Sequence, residues 1–341
     1  MAFLPKKLIV KILSTLAGLA IFGLVVKLAG FHNLMESVRN FSPRFLIPYV
    51  LVAIATTHWA AAYRWKFVLL SEGVNVPLIT LFKYKALIFG LNYLTPVARL
   101  GGEPLKVVLL KRQHIPVPKS IASVIIDNFL GMGVDVLIAG IVLIALVFSA
   151  VNLSPDIKGI FLLMGMVFPL VVMLVFLYLK KKAGPFSTIL NAIGRIGNIG
   201  KKKLFLAISS KAAMSEYYMR KLLVKRPKNM VFATIYAAMS WPMTVIQYKL
   251  ALLMLGVDAS ISQILLSVIM MNVTLLIPIP GAIGVQEAGQ FSTFRILSDN
   301  PNAGIALSFL LRLKDMVLLL ISLILAFKEG TGIFDKKTDK K

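Results

Sequence analysis

The residues best placed to do chemistry lie in two short runs of proline, glycine and charge that interrupt apolar sequence. The first run, with the lysine that follows it, contains Pro96, Arg99, Gly101, Gly102, Glu103 and Lys106. A charge at the centre of a membrane helix costs on the order of 2.5–3.5 kcal/mol and is usually retained for a pathway or a site. Glu103 and Lys106 are three residues apart and can share one helix face. We favour a functional role for Arg99 and Glu103, and interfacial positions for Lys111 and Arg112.

The first run also has the features of an anion site. A helix that starts near Gly102 would direct its N-terminal amides at the break, where they favour a phosphate or a carboxylate. Arg99 can add a bidentate contact to a phosphate. The alternative is that Arg99 and Lys106 simply extend to the cytoplasmic interface.

The second run contains Pro280, Gly281, Gly284 and Glu287. Arg312 and Asp315 lie in a later apolar stretch, three residues apart, so they can pair locally. Arg312 can also reach Glu287. A structural ion pair is one interpretation of these charges, and a gate or a carboxylate that titrates during transport is an equally favoured one.

Asp127 and Asp135 lie eight residues apart in a third apolar stretch, where one broad helix face can carry both. Both are too deep in apolar sequence to be incidental, and Asp127 is a candidate site residue. Arg64 has Trp65 and Lys66 as neighbours, a pattern that predicts an interfacial position.

The sequence lacks the usual signs of catalysis or metal binding. It has no cysteine, and its three histidines, His32, His58 and His114, have no ligand spacing. The glycines between Gly194 and Gly200 lack the strand and the spacing of a dinucleotide fingerprint. No nucleophile elbow or zincin motif is present. We therefore expect a protein that is not an enzyme and that uses no metal or cofactor.

The composition predicts a membrane protein. The chain has 341 residues, of which 58% are hydrophobic and 15% charged, and its mean hydropathy is +0.84. A soluble domain is roughly 45–50% apolar and about 25% charged, so soluble enzymes, disordered regulators and disulfide scaffolds are excluded. The net charge of +24 indicates membrane topology and contact with anionic lipid, and not nucleic acid.

Six apolar runs have the roughly 20 residues that are needed to span a bilayer. They are Leu8–Leu28, Phe45–Leu69, Ile121–Val151, Ile160–Leu179, Met230–Leu255 and Ala303–Phe327. Residues 78–94 and 261–277 run into the two proline and glycine runs, which should break those helices. Broken backbone survives in a membrane only where protein or water surrounds it, so we predict two re-entrant hairpins. The expected fold is an all-α polytopic membrane helix bundle with six full spans and two re-entrant broken helices, or alternatively eight spans.

The distribution of basic residues sets the expected orientation. The segment from Lys180 to Lys228 carries thirteen Lys and Arg against one acid, Glu216, which predicts a basic cytoplasmic loop at residues 180–229. We expect this loop to lie against anionic headgroups. Residues 328–341 form a basic cytoplasmic tail, both termini are predicted in the cytoplasm, and residues 1–341 form a single membrane domain.

The chain also contains a predicted internal repeat. Residues 69–74 (LLSEGV) resemble residues 252–257 (LLMLGV), 183 positions later. In each copy a proline precedes a glutamate by seven residues, and these positions are 184 apart, so one gap aligns them. The predicted topology makes the repeat inverted, which is typical of transporters. The alternative is coincidence between two apolar segments.

Residues 96–110 (PVARLGGEPLKVVLL) and 279–289 (IPGAIGVQEAG), with Arg312, resemble the flippase-like integral membrane family. That family is related to the transmembrane domain of lysylphosphatidylglycerol synthases, and the likeness covers essentially the whole chain. The chain departs from the family pattern at Asn128, where an arginine is expected, and at Ala282, where a further glycine is usual. The first departure argues against a paired role for Asp127.

The resemblance implies transbilayer movement of a lipid, such as an aminoacylated phospholipid or a polyprenyl-phosphate carrier. The soluble aminoacyl-transfer domain of the synthases is absent, so we expect no lipid synthesis. The residues that match the two family motifs are Arg99, Gly101, Gly102 and Glu103, and Pro280, Gly281, Gly284 and Glu287. Glu103 and Glu287 are expected to hold an ammonium group or to exchange a proton.

We therefore expect a multi-pass lipid flippase or scramblase in the cytoplasmic membrane of a prokaryote. The candidate substrate-binding residues are Pro96, Arg99, Gly101, Gly102, Glu103, Lys106, Asp127, Pro280, Gly281, Gly284, Glu287, Arg312 and Asp315. The expected partners are anionic or phosphate-bearing membrane lipids, with a homodimer or a lipid-modifying enzyme as further possibilities. The alternatives are a secondary transporter of a small soluble solute and a non-catalytic membrane partner of a lipid-modifying enzyme.

Overall fold

A computed structural model describes residues 42–95, 101–149, 153–179, 185–195, 203–225, 227–275, 277, 282, 284–297 and 301–333. Within these ranges the chain is 88% helical and has no strand. The predicted all-α class is confirmed.

Eleven helices form in the described ranges, and they are numbered here in chain order. They are α1 (Pro43–Ser71), α2 (Leu78–Leu94), α3 (Glu103–Lys111), α4 (Val117–Val147), α5 (Pro155–Leu179), α6 (Pro185–Gly194), α7 (Lys203–Lys225), α8 (Pro227–Met254), α9 (Ile261–Thr274), α10 (Val285–Leu297) and α11 (Pro301–Ile333). The first turn of α1 is a 3₁₀ turn at Pro43–Phe45, and residues Ala55–Trp59 form a π-helical turn within it.

Four helices in the described ranges, α1, α4, α5 and α8, are long and apolar enough to cross a membrane. They match four of the six predicted spans, with ends that differ by a few residues. The helix α11 contains the predicted span 303–327, but Arg312, Lys314 and Asp315 lie near its middle and set it apart from the other four. The predicted span Leu8–Leu28 lies outside the described residues.

Both predicted helix breaks are present. The helix α2 ends at Leu94 and α3 begins at Glu103, whereas α9 ends at Thr274 and α10 begins at Val285. The two stretches are therefore not continuous helices. Whether each break is re-entrant stays a prediction.

Two compact units make up the described chain. Unit A contains the described residues of 42–53, 83–102 and 245–333, and unit B contains those of 54–82 and 103–244. The first predicted site falls mainly in unit B, and the second falls in unit A.

The two copies of the predicted repeat have the same helix cap. At the end of α1, the amides of Gly73 and Val74 donate to the carbonyls of Leu70 and Leu69 at 3.0 Å each. At the end of α8, the corresponding bonds join Gly256 to Leu253 at 3.1 Å and Val257 to Leu252 at 2.9 Å. Both glycines have a positive φ, 78° and 70°, which this type of cap requires. The cap supports the alignment of the two copies, and their inverted orientation stays a prediction.

The segment predicted as a basic loop contains two helices, α6 and α7. Met219 and Leu222 of α7 are buried against Val68 of α1 and against Ala122 and Ile126 of α4, because its apolar residues recur at helical spacing. The carboxylate of Glu216, the one acid in the segment, accepts hydrogen bonds from the amide of Ser187 at 3.1 Å and from its hydroxyl. Part of this segment is therefore folded onto unit B. Its predicted cytoplasmic location is not tested.

The contact between α4 and α5 depends on small residues. A Cβ atom on Gly140 would lie 3.0 Å from the carbonyl oxygen of Gly165 and 3.0 Å from Pro169, so the two backbones are close. Along α5 the buried residues are Gly165 and Leu179, and many of its large apolar side chains point outward. This helix has a narrow contact with the protein.

Candidate functional site

The first break carries a buried cluster of charges at the start of α3. The ammonium of Lys106 lies 2.8 Å from the Glu103 carboxylate, 3.1 Å from Asp127 and 3.1 Å from the side-chain oxygen of Asn128. It also lies 5.6 Å from the centre of the Trp65 ring. The Lys106 side chain is only 3% exposed, so it does not reach to the interface in the way that the alternative interpretation required. The ammonium donates hydrogen bonds to Asp127 and Asn128, whereas its contact with Glu103 is an ion pair without hydrogen-bond geometry.

Asp127 is fully buried and bridges two cations. One carboxylate oxygen faces Lys106, and the other accepts a hydrogen bond from Nε of Arg64 at 2.8 Å. The Arg64 side chain is only 16% exposed and points at Asp127, and its predicted interfacial position stays a prediction. The departure at Asn128 put a paired role for Asp127 in doubt, but the structure shows Asp127 paired. Gly131, one turn after Asp127, leaves room for the guanidinium, since a Cβ atom there would lie 2.6 Å from an Arg64 nitrogen.

We call Arg64, Glu103, Lys106 and Asp127 the first cluster. It contains two acids and two bases, so its formal charge is zero. Buried charges are tolerated when they are paired and hydrogen-bonded, and removal of one member leaves an uncompensated charge in an apolar environment. The sequence analysis did not predict that Arg64 pairs with Asp127. The one feature that could have indicated it is Gly131, which leaves space for a large side chain one turn after Asp127.

Local sequence explains why α3 begins at Glu103. Pro104 lies in its first turn, where the missing N–H is not needed and the fixed φ suits a helix. The amide of Gly102 donates to the side-chain oxygen of Asn92 at 2.6 Å, and a Cβ atom on Gly102 would lie 2.8 Å from the Ile88 carbonyl oxygen. Only glycine fits so close to that backbone. Gly101 is also tightly packed, against Thr95.

The second break carries an ion pair between α10 and α11. Arg312 is fully buried, and its guanidinium donates to both carboxylate oxygens of Glu287, with 2.7 Å for the Nη2 contact. The same Nη2 donates to the carbonyl of Ala282 at 3.2 Å. We call Glu287 and Arg312 the second cluster. Of the two partners considered for Arg312, the structure shows Glu287, and Asp315 lies 2.9 Å from Lys314.

Glu287 also closes the start of α10. It is the third residue after Gly284, whose amide donates to the carboxylate at 2.8 Å and whose φ is +80°. A carboxylate in this position satisfies an N-terminal amide and interacts favourably with the helix dipole.

The glutamate is the more accessible member of each pair. The side chain of Glu103 is 14% exposed and that of Lys106 is 3% exposed. Glu287 is 19% exposed, whereas Arg312 is 0% exposed. The two buried cations thus hold the carboxylates from the protein side. Each glutamate side chain stays partly exposed, although both oxygens of Glu287 already accept hydrogen bonds from Arg312 and Gly284.

Comparison with known proteins identifies the family. The sequence pattern described as the lysylphosphatidylglycerol synthase TM region matches residues 12–322 of the chain. The chain belongs to this family. It is also similar to a UPF0104 membrane protein of Pyrococcus horikoshii, with 23% identity over 321 residues that cover 89% of this chain and 92% of the relative. No solved structure matches the chain. The family and the apolar helices together show a multi-pass membrane protein.

The structure describes both positions at which the chain departs from the pattern expected of the family. At Asn128, where an arginine was expected, the side chain accepts a hydrogen bond from Lys106. Ala282, where a glycine is usual, has a φ of +49°, a conformation that glycine adopts without strain.

The structure describes some of the other residues that the sequence analysis singled out, and not the rest. Pro96, Arg99, Pro280 and Gly281 lie outside the described residues, so the phosphate contact expected of Arg99 stays a prediction. Asp135, on α4, accepts a hydrogen bond from the indole of Trp241 on α8 at 3.0 Å. No spacing in the sequence indicated Trp241. In the described part of the chain, no group of three or more acids or histidines is placed to hold a metal ion.

Proposed function

We propose that this protein moves a lipid across the bilayer and that the lipid headgroup passes the carboxylates of Glu103 and Glu287. The observation that carries the proposal is the same at both breaks: a partly exposed carboxylate lies on a buried cation in apolar sequence. Charge at such positions is costly and is characteristic of a transport pathway. Membership of a family named for a membrane region of a lipid synthase supports a lipid as the cargo.

The exposed edges favour a headgroup that carries an amine. Lys106 and Arg312 already bind the protein's own oxygens, so they have little capacity for a phosphate. A carboxylate attracts an ammonium group strongly where water is scarce. An aminoacylated phospholipid therefore fits Glu103 and Glu287 better than a polyprenyl phosphate does. Arg99 remains the proposed contact for the lipid phosphate, because at the start of α3 the Gly102 amide donates to Asn92 and Pro104 has no N–H.

The test is reconstitution of the purified protein in liposomes with fluorescent lipids. Lysyl-phosphatidylglycerol, phosphatidylglycerol and a polyprenyl phosphate would each carry the label, and a membrane-impermeant quencher would report the lipid that reaches the outer leaflet. We expect faster movement than in empty vesicles, with the amine-bearing lipid fastest. Rates equal to those of empty vesicles for all three classes would contradict the proposal.

Two variants connect the activity to the site. Glu103→Gln combined with Glu287→Gln removes both negative edges and keeps the side-chain shape, so lipid movement should fall by about tenfold or more. Asp156→Asn alters an exposed acid in the first turn of α5 and should leave the rate unchanged. Equal rates for both variants would show that the two carboxylates are not on the pathway.

A second candidate function is that of a membrane partner for a lipid-modifying enzyme. It is favoured by α7, on which Leu206, Ile208 and Tyr217 are exposed among basic residues. Lipid movement by the purified protein alone would make such a partner unnecessary for transport.

A further inference from the structure

The two clusters occupy matching positions of the predicted repeat. Glu103 and Glu287 are 184 residues apart, and each lies in the first turn of the helix that follows a break. The shared cap at the ends of α1 and α8 supports the same alignment, with the one-residue gap noted above. Residues of the two copies can therefore be compared one by one.

This comparison shows that a cation and an amide have exchanged places. At the spacing of 184, Lys106 corresponds to Gln290, and Asn128 corresponds to Arg312. The first copy thus has its cation on the short helix α3 and its amide on the long helix α4. The second copy has its amide on the short helix α10 and its cation on the long helix α11.

The contacts of Lys106 fit this exchange. Its ammonium lies 3.1 Å from the Asn128 oxygen, so it reaches the residue that corresponds to Arg312. It also contacts Glu103, as Arg312 contacts Glu287. A surface pair three residues apart would be mobile and exposed, but Lys106 is 3% exposed and joins α3 to α4 through Asp127.

We infer that Lys106 is a positioning residue that supplies from α3 the cation that Arg312 supplies from α11. Each cation holds one glutamate, whose side chain stays partly exposed to the headgroup. Lys106 therefore acts through Glu103 and does not itself bind the lipid. This inference rests on the proposed function and goes further, because it states how the first carboxylate is kept in position.

The exchange can be reversed by mutation. Lys106→Met removes the ammonium and keeps the length of the side chain, so lipid movement should fall by about tenfold. Lys106→Met combined with Asn128→Arg transfers the cation to the position that it has in the second copy, and the rate should return to within about threefold of wild type. Lys106→Arg, the conservative variant, should keep most of the rate. Lys111→Met changes an exposed lysine at the end of the same helix and should have no effect.

Headgroup selectivity separates a positioning role from a purely structural one. The rate for lysyl-phosphatidylglycerol relative to phosphatidylglycerol should fall in Lys106→Met and recover in the double variant. Thermal unfolding of each variant, in detergent, gives an independent measure of folding. A double variant that is as stable as wild type but remains as slow as Lys106→Met would overturn the inference, as would an unchanged rate and selectivity in Lys106→Met.

A wild-type protein that moves no lipid would contradict the proposed function and would leave the exchange to be decided by stability. In that case, a loss of thermal stability in Lys106→Met that Asn128→Arg recovers supports the transferred cation. Losses that simply add in the double variant would overturn it.

Discussion

The two breaks build a similar carboxylate edge from different amounts of charge. At the positions that the predicted repeat aligns, the pairs are Arg64 and Gln247, Glu103 and Glu287, Lys106 and Gln290, and Asn128 and Arg312. The first predicted copy thus has two cations and a second acid, Asp127, whereas the second predicted copy has one ion pair and two buried glutamines.

This difference indicates which substitutions should destabilise each site most. In the first cluster, Asp127 is required because two cations lie within contact of it. In the second cluster, one carboxylate balances one cation, and Ala282, whose carbonyl accepts a hydrogen bond from Arg312, has the unfavourable φ of +49°. Within the described residues, Gln247 and Gln290 each have one buried amide atom without a hydrogen-bond partner, which costs less than an unpaired charge. The first break depends mainly on charge balance and the second mainly on backbone geometry.

The largest effect is expected from Asp127→Asn. This change leaves Arg64 and Lys106 with Glu103 as their one remaining acid in the first cluster, so unfolding should become easier by about 3–5 kcal/mol. Denaturant unfolding in detergent would measure it, with Asp156→Asn as the exposed control. A loss no larger than that of the control would refute the importance of charge balance at the first break.

Arg312→Met should have a smaller effect, about 2–3 kcal/mol. It removes the donor for Glu287 and for the Ala282 carbonyl, but Glu287 keeps its partial exposure and its bond to Gly284. The same unfolding measurement applies, with Arg295→Met as a control because Arg295 is exposed on α10. If Arg312→Met proved more damaging than Asp127→Asn, the contrast between the two clusters would be wrong.

Ala282→Gly should stabilise the protein by about 0.5–1 kcal/mol. Glycine adopts the φ of +49° without the clash that a Cβ atom causes, and this gain exceeds the added freedom of the unfolded chain. The matched control is Ala288→Gly, an exposed position within α10, where glycine should cost about 1 kcal/mol. A loss of stability from both changes would show that the backbone at the second break is not strained.

A pH-dependent effect is expected at Glu72, the C-cap residue of α1, at the position where the predicted second copy has Leu255. Burial raises the pKa of Glu72 to about 7, although Lys119 and Lys221 act in the opposite direction. In the unfolded chain the group ionises near pH 4.5, so wild-type stability should fall as pH rises from there to about 7. Thermal unfolding should show a gain from Glu72→Gln that is small near pH 5 and largest near pH 8.

Asp258, in the predicted second copy, is a control whose pKa is shifted in the opposite direction to that of Glu72. The pKa of Asp258 is lowered by its hydrogen bond to Lys249, and its side chain is 92% exposed. Asp258→Asn should therefore lower stability slightly at neutral pH. It should have no effect at a pH low enough to protonate Asp258 in both the folded and the unfolded protein. A gain from Glu72→Gln that does not change with pH would show that its carboxyl is not buried as described.

The sequence predicted the backbone of both sites but only part of their side-chain pairing. Proline and glycine act locally, so the ends of α2 and α9 and the start at Glu103 could be located from composition alone. The pairs Glu103–Lys106 and Glu287–Arg312 were also foreseen, one from helical spacing and one as an open alternative.

The pairing of Asp127 with Arg64 could not be derived in the same way. These residues are 63 positions apart, and their contact depends on how α1 packs on α4. The aromatic and basic neighbours of Arg64 pointed to the interface, but the space beside Gly131 decides its direction. The helices α6 and α7 were missed because their high charge outweighed the apolar residues that recur at helical spacing.

The narrow contact of α5 has a consequence for the choice of membrane. It packs on α4 through van der Waals contacts at Gly140 and Gly165. Most of its large apolar side chains are exposed and are expected to face acyl chains. Acyl chains are therefore the expected surroundings of most of this helix. We expect a bilayer of different thickness to change the tilt of α5 or the local thickness of the bilayer.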